Sequence, residues 1–255
     1  MELHYRSLGA GTPIIILHGI FGTSDNWQTF GKQLAGEYEV FLPDQRNHGL
    51  SPHSDTFDYP AMAEDLHEFI QQHRIENPVI IGHSMGGKVA MFYTLAHPES
   101  FDKLVVVDIA PRGYPVHHQY ILDAMSGVDL ASATSRKDIE EQLKPHLPDF
   151  GVRQFIMKNL KREGDNSFSW KLNLSAIREN IANVGIAVDT SNPVQKPTLF
   201  VRGAKSDYIR REDEGLIQQI FPQAEVVTVE NAGHWVHAEQ PDALYRTLME
   251  FLQSS

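Results

Sequence analysis

The sequence predicts an α/β protein with a mostly parallel sheet flanked by helices, and three observations carry that expectation. Six short runs of Ile, Val, Leu and Phe are apolar almost without interruption, helical apolar periods separate most of them, and one long central stretch carries helical periods alone. Strands buried on both faces need no polar side. Strands alternating with helices build a parallel sheet covered on both faces.

In chain order, Ile14 to Leu17 and Val40 to Leu42 open the pattern as buried strands. Pro60 then starts a helix whose Met62, Leu66, Phe69 and Ile70 share one face, since proline is preorganised for a first helical turn. Val79 to Ile81 is the next strand, Val89 to Leu95 the next helix and Leu104 to Val107 the fourth strand. Between about Arg112 and Pro197 no comparable strand run occurs. There, Gln119 to Met125, Lys137 to Leu143, Val152 to Leu160 and Leu174 to Ala182 read as short helices between Gly, Pro, Asp and Asn signals. Residues 112–196 are therefore expected to form a helical cap over the carboxyl edge of the sheet, inserted into a core of residues 1–111 and 197–255. The core resumes with the strand Thr198 to Val201, a helix carrying Leu216, Ile217 and Ile220, and the strand Val226 to Val229. A last helix places Leu244, Leu248, Phe251 and Leu252 on one face after Pro241.

With 255 residues, 41% hydrophobic and 22% charged, the chain is long enough to bury a substantial core in one large domain. A net charge of -11 opposes contact with phosphate backbones or anionic lipid, so no nucleic-acid partner is expected. The absence of cysteine excludes disulfides, thiolate metal sites and cysteine nucleophiles. Met1 to Gly11 lacks the apolar core of a secretory signal. No apolar run approaches the roughly 20 residues that span a bilayer. A cytoplasmic protein without a membrane span is the expectation.

The chemistry centres on Val79-Ile80-Ile81 running into Gly82-His83-Ser84-Met85-Gly86-Gly87 ahead of a helix. This is G-x-S-x-G in the strand, turn, helix context of a nucleophile elbow, where Ser84 occupies a strained turn that flanking side chains would crowd. Gly82 to Lys88 also spells G-x-x-x-x-G-K, and Leu104 to Val107 ends at Asp108, as in a nucleotide hydrolase; but Val89 stands where a magnesium-holding hydroxyl is needed. Ile14 to Leu17 leads into His18-Gly19-Ile20-Phe21-Gly22, a turn able to donate a backbone N–H to an oxyanion, so Ile20 and Met85 are the expected donors.

After the last strand comes Asn231-Ala232-Gly233-His234-Trp235-Val236-His237, and His234 can reach Ser84 as general base while His237 is expected to be structural. A metal site from His234, His237, His117 and His118 competes poorly with scattered surface histidines in a chain of 13. The acid stays open between Asp108 and Asp207, each following a strand. Asp108, at a buried strand end, has the stronger need of a partner. Phe21 and Trp235, beside these groups, are expected to form an apolar wall for the acyl chain.

These motifs resemble the α/β-hydrolase superfamily, and within it the bacterial YbfF-type esterases, a branch with mitochondrial relatives in animals. The likeness also runs through Asp44-Gln45-Arg46-Asn47-His48-Gly49-Leu50-Ser51-Pro52, where many members have Gly for Asn47, through Tyr59 to Ala63, Val107 to Pro111, and Ala232 to Glu239. It is thinnest across the cap. The resemblance implies the α/β-hydrolase fold, no cofactor, Ser84 as nucleophile and His234 as base. It favours Asp108 as acid and suggests a supporting polar role for Ser206. The implied substrates are small molecules, short to medium acyl esters with acyl-CoA thioesters as a further class. The same scaffold also serves C–C hydrolases, acyltransferases and non-catalytic ligand-binding proteins.

Overall fold

The computed structural model describes residues 1–164 and 167–254. The chain opens with β1 (Tyr5–Gly9), β2 (Thr12–Leu17), α1 (Gln28–Leu34), β3 (Tyr38–Pro43) and α2 (Tyr59–Gln72). Then follow β4 (Val79–His83), α3 (Met85–Ala96) and β5 (Leu104–Val107). An excursion from the sheet carries α4 (Gln119–Ser126), α5 (Arg136–Leu143), α6 (Phe150–Met157), β6 (Leu160–Arg162), β7 (Phe168–Trp170) and α7 (Leu174–Glu179). The chain ends with β8 (Thr198–Gly203), α8 (Glu214–Ile220), β9 (Ala224–Val229), α9 (Val236–Glu239) and α10 (Pro241–Gln253).

Among the described residues, seven strands form one sheet in the order β1-β3-β2-β4-β5-β8-β9, parallel except for β1, which runs antiparallel to β3 at the edge. Alternation along the strands explains the uninterrupted apolar runs. Ile15, Leu17, Ile80, Val106 and Phe200 join the cluster beneath α2 and α3. Their neighbours Ile14, Ile16, Ile81, Val105, Val107 and Val201 join the one beneath α1 and α10. Successive side chains of a strand leave on opposite faces, and here both faces are covered.

Several elements depart from expectation, the unanticipated helices α1 and α9 among them. The edge strand β1 was not anticipated, because its Tyr, Arg, Ser, Leu, Gly sequence is half-exposed and has no continuous apolar run. In the excursion, the helix expected over Val152 to Leu160 stops at Met157, and Leu160 opens a hairpin in which it pairs with Trp170. Arg136 takes the carbonyls of Met157 and Leu160, at 2.6 and 3.3 Å, which gives the helix end its partners without another turn. The excursion is thus helical with a hairpin in it. Finally, α7 ends at Glu179, and a 3₁₀ turn over Ile181–Gly185 replaces its expected last turn.

The parallel strands deliver their carboxyl ends to one edge. The loops after β2, β4, β5, β8 and β9 therefore meet there, beside the place where the order reverses between β3 and β4, the usual position of a ligand crevice in such sheets.

Candidate active site

Ser84 stands at the tip of the turn between β4 and α3 with φ 52° and ψ −119°. A Cβ on Gly82 would run into the Gly86 carbonyl, and one on Gly86 into the Leu17 carbonyl, so both glycines are sterically required by the turn. Asp108, directly after β5, also has a positive φ of 52°. Residues held at such angles cost about 1–3 kcal/mol each. Here the Ser84 N–H to the Val107 carbonyl (3.0 Å) and the Asp108 N–H to the Val201 carbonyl (2.8 Å) hold them.

The three side chains meet in one line. Ser84 Oγ lies 3.0 Å from His234 Nε2, and His234 Nδ1 lies 2.9 Å from Asp108 Oδ2. An imidazole carrying its proton on Nδ1 satisfies both contacts, donating to the carboxylate and accepting from the hydroxyl. Asp108 is fully buried, and it also accepts from the Gly203 N–H at 2.9 Å and from the Ser206 hydroxyl. Asp207 lies outside this group: it is exposed, and its carbonyl accepts from Arg112 at 2.9 Å.

Among the described residues, the N–H groups of Ile20 and Met85 donate to no other protein group. Met85 opens α3, where an N–H has no intrahelical partner. The neighbouring Phe21 N–H is instead taken by His48 Nε2 at 3.2 Å, so it does not compete with Ile20 as a donor in that turn. His48 is oriented for this by its Nδ1–H, which donates to the Arg46 carbonyl at 2.8 Å. Burial pushes the His48 imidazole down to about 3, so it stays neutral and keeps Nε2 as an acceptor. Asn47, just before it, has φ 65°, the left-handed region that glycine or asparagine tolerates best.

Among the described residues, two cavities lie against Ser84. The larger, about 150 Å³, is walled by Phe21, Ile121, Val152, Phe155, His234 and Trp235. The smaller, about 20 Å³, lies against Tyr59, Met85, Ile109, Val116 and Val184. Ser84, His118 and Tyr208 line both. Phe21 and Trp235 both line the larger cavity.

A family model for the alpha/beta hydrolase fold matches residues 12–241. The chain belongs to the α/β-hydrolase family. A solved structure described as a marine microorganism esterase matches this α/β hydrolase with a TM-score of 0.96 at 44% identity, over 98% of this chain and 99% of that one. Esterase YbfF of Escherichia coli is 35% identical over 258 residues, covering 99% of either chain. The sn-1-specific diacylglycerol lipase ABHD11 of Danio rerio is 37% identical over 254 residues, 96% of this chain and 80% of that relative.

The phosphate-loop alternative fails on geometry in this α/β hydrolase. Lys88 Nζ donates to the carbonyls of Pro111, Arg112 and Ile186 at 2.8, 2.7 and 2.9 Å, and Val89 is buried in the core. His237 stacks on Trp27 with centroids 4.3 Å apart. Sequence reasoning missed Tyr208, whose ring stacks on His234 at 4.0 Å, and the role of His83, whose Nε2 donates to the His234 carbonyl at 2.8 Å. Neither contact has a local signal, because each joins residues far apart in the chain.

Proposed function

We propose that this α/β hydrolase is a carboxylic ester hydrolase that works through an acyl-enzyme on Ser84. The observation that carries the reading is the unbroken contact from Ser84 Oγ through His234 to the buried Asp108 carboxylate. Ser84 attacks the acyl carbonyl as His234 Nε2 takes its proton, and Asp108 holds the imidazole tautomer and stabilises the imidazolium. The carbonyl oxygen, becoming an oxyanion, is received by the N–H groups of Ile20 and Met85. His234 returns the proton to the leaving alkoxide, and water activated by the same imidazole then releases the acid.

The relatives support the same reading, since an esterase and a lipase are among them. Thioesters present the same carbonyl to the same groups, so acyl-CoA esters belong to the reaction class. In this reading residues 112–196 act as a cap, whose α4 and α6 supply Ile121, Val152 and Phe155 to the cavity.

A fluorophosphonate should label Ser84, and Ser84→Ala should lose on the order of 10⁶ in kcat, as when a protease triad member is deleted. An adduct mapped to another residue, or full esterase activity in Ser84→Ala, would overturn the reading.

A further inference from the structure

We propose that the two cavities divide the substrate: the small one receives the acyl chain and admits only a short one, while the large one receives a bulky apolar alcohol. The inference rests on Ser84 acting as nucleophile.

The argument begins at the proton. When the tetrahedral intermediate collapses, the bond between carbonyl carbon and alkoxy oxygen breaks, and that oxygen takes the proton that His234 Nε2 received from Ser84 Oγ. The alkoxy oxygen must therefore lie within hydrogen-bond reach of Nε2. With the oxyanion turned to Ile20 and Met85, the remaining substituent, the acyl chain, points away from His234. Of the two cavities at Ser84, the large one is walled by His234 and Trp235, and neither residue lines the small one. The leaving group therefore departs into the large cavity.

Size and stiffness then set what each cavity takes. One water needs about 10–15 Å³ of such space, so about 20 Å³ accepts little more than an acetyl methyl or one carbon beyond it. Its walls are tied. The Tyr59 hydroxyl donates to the Val184 carbonyl at 2.7 Å, and Tyr59 stacks on Phe92 with centroids 5.2 Å apart. The Tyr114 N–H donates to the Gly185 carbonyl at 2.8 Å, and the Tyr114 hydroxyl accepts from the Ala110 N–H at 2.8 Å. The large cavity, about 150 Å³, presents Phe21, Ile121, Val152 and Phe155, which suit a cyclic or branched hydrocarbon. In this assignment Phe21 and Trp235 face the leaving alcohol, whereas the sequence expectation set them against the acyl chain.

Two ester series made from alcohols of similar acidity test the assignment. In the acyl series, cyclohexylmethyl esters from acetate to octanoate, kcat/KM should fall about tenfold or more between propionate and octanoate, methylenes that do not fit being costly. In the alcohol series, cyclohexylmethyl acetate should outperform ethyl acetate. Val184→Ala and Val116→Ala, each in the lining of the small cavity, should move the acyl limit to longer chains and leave the alcohol preference in place. Phe155→Ala should do the opposite. Octanoate turned over as well as propionate, or an acyl limit that moves with Phe155→Ala and not with the valines, overturns the assignment while Ser84→Ala stays inactive. Hydrolysis that persists in Ser84→Ala removes the nucleophile reading instead, so the two failures are distinguishable.

Discussion

Asp108 carries a buried charge whose cost is met by three donors: the Gly203 N–H, the Ser206 hydroxyl and the His234 ring. Register explains why it, and not Asp207, meets the histidine. Val107 pairs with Val201, and β8 runs two residues further to Gly203 while β5 stops, so the Gly203 amide faces the Asp108 carboxylate. Asp207 comes four residues beyond, on the exposed side of the loop. Asp108→Asn keeps the shape and removes the charge, so kcat should drop by roughly 10⁴, as in the comparable protease substitution. Asp207→Asn should stay within a few-fold of the parent; steady-state kinetics on an activated ester checks both, and collapse in Asp207→Asn alone would reverse the assignment. Ser206→Ala removes one donor to the charged group, a bond worth about 1.5–3 kcal/mol. It should lower kcat by about 10- to 100-fold with KM little changed, whereas a KM effect alone would make Ser206 a substrate contact.

Among the elements, α3 does two tasks. In the proposed mechanism its first residue offers the Met85 N–H to the oxyanion, and one turn on its Lys88 ammonium ties the two ends of the excursion to the core through the carbonyls of Pro111, Arg112 and Ile186. Burial, and then the Arg112 charge, push Lys88 down to about 7. Between pH 7 and the ordinary lysine range the folded protein holds fewer protons than the unfolded chain, so this group makes stability rise with pH across that window. Lys88→Met should lower stability by about 1–3 kcal/mol at pH 7, because three carbonyls lose their donor. The gap to the parent should widen toward pH 9. Urea midpoints at the two pH values check this, and a gap that stays below half a kcal/mol would show that water replaces the ammonium.

At the scale of the whole molecule, neutral histidines are built into the core around the site. Burial is the largest cause lowering His18, His48 and His83, and His48 stands at about 3. For such a group the unfolded chain binds the proton first, so stability is complete above the ordinary histidine range and is lost as pH falls from there toward 3. By pH 4.5 the His48 contribution alone amounts to about 2–3 kcal/mol. The protein should therefore weaken as pH falls from 7 to 4.5, with the loss beginning above the range where carboxylates titrate, and chemical denaturation across that range is the measurement. A flat profile down to pH 4.5 contradicts it. Protonating His48 would also remove the acceptor of the Phe21 N–H, disturbing the turn that carries Ile20.

The buried strands were legible in the residues themselves, because a strand covered on both faces must be apolar at every position, as Ile14 to Leu17 and Leu104 to Val107 are. Ser84 was legible for a similar reason: a strained turn between strand and helix has a steric demand that only glycines at Gly82 and Gly86 meet, and sequence records steric demands locally. His234 was legible by its place after the last strand. The edge strand β1 was not, since half its surface faces solvent, nor was the hairpin of β6 and β7, three residues a side being too short for a period to show. Tertiary structure alone brought Asp108 within reach of His234 and left Asp207 outside, through a two-residue difference in strand length that composition does not encode. It alone turned Lys88 from a phosphate-loop look-alike into a tie between core and excursion. It also divided the space at Ser84 in two. Contacts between residues about a hundred positions apart depend on where the whole sheet sends its loops, and no local run of residues carries that information.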